Sequence, residues 1–197
     1  DTPPGIQRLL LSRFLRLPEE GRSLLEAAAV LGLAFPLKPL ASLLGRAGRE
    51  VAGDLEDLVE RGLLVDEGGA CRFFHARFRE AVLAQMRPVR RLALHAQAAL
   101  VTNAPAEATY HAEEGHDWSL AFTRLVAAGR AAMALGAAGE AREMYTRALR
   151  NAELAGDVDP LSLAGALLGR EAALSALGEA AGQEADLDRA EAIAIGA

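Results

Sequence analysis

The sequence predicts an all-α fold with a small β-hairpin wing: a winged helix followed by antiparallel helical repeats. Three observations carry this. Apolar residues recur at helical spacing through most of the 197 residues. The period becomes extended once, in LLVDEGGACRFF (63–74), around Glu67-Gly68-Gly69. A pattern of alternating small and large residues then recurs in the alanine-rich C-terminal half.

The elements follow in order. In IQRLLLSRFLRL, the apolar residues Ile6, Leu9, Leu10, Phe14, Leu15 and Leu17 fit one helical stripe. Pro18 suits the first turn of a second helix, with Glu19 and Glu20 favourable at its positive end, and Gly32 closes it. LKPLASLLG gives a short third helix ending at Gly45. GREVAGDLEDLVERG gives a fourth, with Val51, Leu55, Leu58 and Val59 inward and Gly62 as its C-cap. After the hairpin, helices resume with ARFREAVLAQM and, beyond Pro88, VRRLALHAQAALV. Three helices and then a hairpin make a winged helix, a helix-turn-helix variant. Asn103 to Pro105 reads as a linker. The expected domains are a leading helix from a preceding domain (1–17), a winged helix with trailing helices (18–103), and truncated helical repeats (104–197).

Within 104–197, Leu125, Ala128, Gly129 and Ala132 precede a turn near Gly136, and Ala141, Tyr145 and Ala148 follow it. Their spacing matches the tetratricopeptide frame of roughly 34 residues. Small residues let two antiparallel helices approach closely, and the large ones fill the gap between repeats. Leu125, Gly129, Ala132, Ala141, Tyr145 and Ala148 are therefore the expected structural positions of the motif. A weaker copy aligns 134–149 with 176–191, placing Leu187 where Tyr145 stands and Ala190 where Ala148 stands. Solenoids need several repeats and a cap, so more repeats are expected beyond this segment. The chain opens on Asp1 and reads as a piece of a longer protein.

Composition bounds the function. Half of the residues are apolar and a quarter charged, as in globular domains. No apolar run is long enough to span a bilayer, and no leader opens the chain, so a cytoplasmic location with no membrane partner is expected. The lone Cys71 rules out an intrachain disulfide and a cysteine-cluster metal site. No phosphate loop and no nucleophile elbow occurs. His111 and His116 lie five apart, unlike the metal-binding pair of zinc proteases, and are expected at the surface. His95 reads as core or surface packing. No metal site, cofactor or catalysis is expected in this chain.

Charge is uneven. Residues 1–103 hold 14 basic and 12 acidic side chains, and residues 104–197 hold 7 and 15. An acidic second half does not suit nucleic acid, whose phosphates need positive charge. The groove-reading helix of a winged helix would here be 49–62. It carries Glu50, Asp54, Glu56, Asp57 and Glu60 against Arg49 and Arg61, with no Asn or Gln to read adenine. Arg72, Arg77, Arg79, Arg87, Arg90 and Arg91 cluster elsewhere and suit a solvated face or an acidic neighbouring domain. A DNA-binding winged helix with a repeat sensor is the competing reading.

The succession LLEAAAVLG, LEDLVERGLLVDEGGACRFFHARFREAV, RRLALHAQAAL and tetratricopeptide-like repeats resembles the STAND class of signal-transduction ATPases. The similarity is to the segment after the ATPase core in bacterial regulators of the AfsR, MalT and large LuxR kinds. It covers residues 4 to about 155. The resemblance implies a non-catalytic regulatory piece whose partners are the ATPase core of the same chain and a protein or effector on the repeats, with ATP or ADP held by the core. It also implies that FFHARFRE corresponds to a Met-His-Asp motif, so that His75 reaches the β-phosphate of bound ADP; Ala76 stands at the family aspartate. Independently, His75 falls at the end of a strand and the start of a helix, where anions are favoured. The alternative is a histidine satisfied by its own hairpin backbone, with Phe73, Phe74 and Phe78 in the core.

Overall fold

The computed structural model describes residues 4–179 and 182–196, with side chains from Leu10 onward. The chain divides into two compact units, Asp1–Ala104 and Pro105–Ala197. The first contains α1 (Pro4–Leu15), α2 (Glu19–Leu31), β1 (Ala34–Pro36), α3 (Leu37–Leu44), α4 (Gly48–Glu60), β2 (Leu64–Asp66), β3 (Ala70–Phe73), α5 (Ala76–Gln85) and α6 (Pro88–Val101). The second contains α7 (Pro105–Glu114), α8 (Trp118–Ala134), α9 (Ala138–Ala155), α10 (Pro160–Leu177) and α11 (Gln183–Gly196). The fold is all-α with a small β-wing. No described helix is long and apolar enough to cross a membrane.

The wing has one more strand than the hairpin read from sequence. The sheet order is β1-β3-β2, antiparallel throughout, with Phe35 opposite Cys71 and Val65 opposite Arg72. Three residues ending in proline carry no periodic signal. The strand forms because Phe35 reaches the core and packs edge-on against Phe73, ring centroids 5.9 Å apart. Phe73 in turn meets Phe78 of α5 at 5.8 Å. Each such pair contributes about 0.5–1.5 kcal/mol beyond burial. The tip of the wing needs left-handed backbone: Gly68 and Gly69 have φ 74° and 113°, and the Gly68 N–H donates to Asp66 Oδ1 at 2.8 Å.

Local signals end the helices as expected. At α4, the N–H groups of Gly62 and Leu63 donate to the carbonyls of Val59 and Leu58 at 2.9 and 3.0 Å, a Schellman closure. It turns the chain so that Leu63 and Leu64 enter the core at the start of the wing. The helix expected to belong to a preceding domain packs into this same core: α1 lies on α5, with Leu10 and Phe14 buried.

In the second unit, α8, α9, α10 and α11 pack successively, each on the next. Side chains cap the starts of two of them: Asp117 accepts from the Leu120 N–H at 3.1 Å and Asp159 from the Ser162 N–H at 2.8 Å. Buried positions of α8 recur in α10: Leu125, Val126 and Ala132 correspond to Ala166, Leu167 and Ala173, 41 residues on. The weaker copy does not seat as the 42-residue alignment expects. Ala190 is buried, but Leu187 is 44 % exposed. Asp186, one position earlier, faces inward at 3 % exposure and is gripped by Arg170. Residues four apart share a helix face, so α11 presents Asp186 with Ala190, and Leu187 falls about 100° away.

Candidate functional site

His75 sits where β3 hands over to α5. Both flanks of the preceding strand are pinned. Phe73 donates its N–H to the Leu33 carbonyl at 2.9 Å, and Phe74 to the Leu63 carbonyl at 3.2 Å. His75 is then extended, at φ −140° and ψ 139°, as the N-cap of α5. Its carbonyl accepts from the Phe78 and Arg79 N–H groups at 3.0 and 3.3 Å. The imidazole caps no backbone donor and stands edge-on to the Phe74 ring at 4.7 Å. The residue is half-buried.

The alternative expectation of three core phenylalanines needs correcting. Phe73 and Phe78 are fully buried, whereas Phe74 is 48 % exposed. Successive residues of an extended chain face opposite ways, so burial of Phe73 sends Phe74 outward. The junction therefore presents an aromatic ring and an imidazole side by side.

The six arginines read as one basic cluster are divided by the fold. Arg72 pairs with Glu67 of the wing at 2.6 Å and donates to the Phe73 carbonyl. Arg79 donates to the Ala29 carbonyl at 2.7 Å, satisfying an acceptor in the last turn of α2. Arg90 donates to Ser23 Oγ at 2.7 Å and lies 3.5 Å from Glu26. Arg77, Arg87 and Arg91 are exposed.

The outward face of α4 is acidic. Asp54 is paired with Arg46 at 2.7 Å, while Glu56, Asp57 and Glu60 are exposed. Such a helix would meet DNA phosphates with carboxylates.

In the second unit the motif positions come together. Leu125, Gly129 and Ala132 of α8 and Ala141, Tyr145 and Ala148 of α9 are all buried. A Cβ at Gly129 would lie 2.9 Å from Tyr145 Cζ, so the glycine makes room for the ring. Burial raises the Tyr145 phenol above its ordinary value, with Arg130 opposing.

The surface expectation fails for His111 and holds for His116. His111 is buried with Ala108 and Ala112 on one face of α7, whereas His116 is exposed and stacked on Trp118 at 4.9 Å. His95 is buried in the first unit. Burial, and then Arg91 and Arg79, push its imidazole down to about 4. A helical stripe marks such a residue as inward-facing but says nothing of its protonation. Among the described residues, no group of three or more metal-ligating side chains occurs. No family model, curated protein or solved structure matches the chain.

Proposed function

We propose that this chain is a non-catalytic regulatory and protein-interaction segment of a STAND-type transcriptional regulator. In this reading the winged-helix unit packs on an ATPase core of the same cytoplasmic protein, and tetratricopeptide-like pairs in 105–197 bind a protein or effector. Binding there would be relayed through the winged helix to the core.

The observation that carries the reading is the His75 junction. An imidazole without a capping bond stands half-buried at the start of a ten-residue helix. The first turn of a helix favours anions, and an imidazole N–H can donate to a phosphate oxygen. The residues present thus fit a nucleotide phosphate: ATP or ADP would be held by the core, with His75 donating to the β-phosphate of ADP. With Ala76 at the aspartate position, the histidine acts without that companion. The acidic face of α4 supports a protein neighbour over DNA.

Two measurements test this. In the full-length protein, His75→Ala is expected to weaken ADP retention or raise basal output; unchanged nucleotide occupancy and unchanged output overturn the role. In mobility shift, the 197-residue chain is expected not to retard duplex DNA. Affinity that falls steeply with salt would instead establish the DNA-binding module.

A further inference from the structure

Between α4 and the wing lies an open cleft of about 450 Å³. Its floor is apolar, formed by Leu37, Leu55, Val59 and the half-buried Cys71. Its rim carries Glu56, Glu60 and Asp66, all exposed. Of the nearby cations, Arg46 is on Asp54 at 2.7 Å and Arg72 is on Glu67 at 2.6 Å, while Arg16 and Arg61 line a separate hollow with Glu60. No ion pair reaches the three rim carboxylates among the described residues. Three exposed carboxylates, of which Asp66 accepts from the Gly68 N–H, thus edge an apolar hollow, and such a hollow focuses field on whatever enters it. A Cβ at Gly68 or Gly69 would meet nothing within 4 Å, so the approach past the wing tip is open.

We infer that this cleft docks a basic segment of a partner protein, anchored by one large apolar side chain and flanked by Arg or Lys. The volume is at the small end of ligand cavities and suits one or two large side chains. The floor supplies burial and the rim supplies selection by charge. Duplex DNA would bring phosphates against the three carboxylates. The cleft shares no residue with the His75 junction, so the inference goes beyond the proposed function and survives its failure.

Cys71 is the single cysteine of the chain, so thiol alkylation reports this cleft alone. The probe is a short synthetic peptide with a central Phe flanked by Arg, added to the intact chain. Only the free fraction reacts, so maleimide labelling of Cys71 is expected to slow roughly tenfold once about nine-tenths of the chain is bound. Salt should weaken the protection. It should be lost in Glu56→Gln/Glu60→Gln, whose altered side chains are exposed, and with a peptide whose Phe is replaced by Ser. Unchanged labelling of the unaltered chain at saturating peptide overturns the inference. So does equal protection by the Ser peptide, which would be surface charge alone, or equal protection of the neutralised variant. Protection by duplex DNA gives the face to nucleic acid. Protection that grows with protein concentration without peptide gives it to a second copy. Either result overturns the basic-partner assignment.

Discussion

The ring of Tyr145 occupies the space that a side chain at Gly129 would need, with only 2.9 Å between a Cβ there and Cζ. Gly169 of α10 is closer still to the same ring. One aromatic on α9 thus locks against two helices through two glycines. An exposed helical Gly→Ala change normally stabilises by about 0.5–1 kcal/mol. Here the sign reverses. Gly129→Ala is expected to cost about 1–3 kcal/mol in urea unfolding, and Gly169→Ala more, because the ring must leave its site. Tyr145→Leu in the Gly169→Ala background should recover part of the loss. Stabilisation by either alanine would show that the ring is not held there.

Arg170 and Asp186 make the corresponding tie between α10 and α11, with Nε to Oδ2 at 2.7 Å and Nη2 to Oδ1 at 2.5 Å. The Asp186 side chain is almost wholly buried and that of Arg170 a quarter exposed. Breaking a fully buried pair costs about 3–5 kcal/mol; partial exposure of the guanidinium lowers this to about 1–3 kcal/mol. Asp186→Ala should therefore release α11, read as faster amide exchange across 183–196. Arg170→Met/Asp186→Leu should restore protection. Unaltered exchange in Asp186→Ala would mean that Ala190 and its apolar neighbours hold the helix alone.

His95 makes the first unit sensitive to acid. Its folded-state value of about 4 lies below the ordinary 6.5, so the unfolded chain takes up the proton first. Stability is complete above about 6.5 and is lost as pH falls toward 4, by roughly 3 kcal/mol in total. His95→Leu should flatten that part of the pH profile, followed by amide exchange within 1–104. An equally steep profile in the variant would assign the acid sensitivity to carboxylates.

The arginines should separate by role. Arg79→Met removes a charge-assisted bond to the Ala29 carbonyl and is expected to cost about 1–2 kcal/mol. Arg87→Ala and Arg91→Ala, at exposed positions, should each cost less than about 0.5 kcal/mol. Thermal unfolding of the three variants checks this. Equal losses would mean that the six arginines form one structural cluster.

Sequence alone determined the features whose causes are local. The helix ends at Gly45 and Gly62 were legible because a left-handed residue there needs no distant partner. The wing turn at Gly68-Gly69 was legible for the same reason. The Leu125-Gly129-Tyr145 pattern was legible because a helix repeats its faces at a fixed period. His75 could be placed at a strand-to-helix junction because that junction is marked by a change of period.

Tertiary structure decided what depends on a partner far along the chain. The strand Ala34–Pro36 exists only by pairing with β3. Phe74 turns outward only because Phe73 is claimed by Phe35 and Phe78. Six arginines look alike in sequence, yet Arg72 is drawn to Glu67, Arg79 to the Ala29 carbonyl and Arg90 to Ser23 within the same unit. Asp186, not Leu187, faces the core because the rotation of α11 is set by Arg170 on the helix before it. A side chain's period announces its face, but which partner waits on that face is settled by packing between elements.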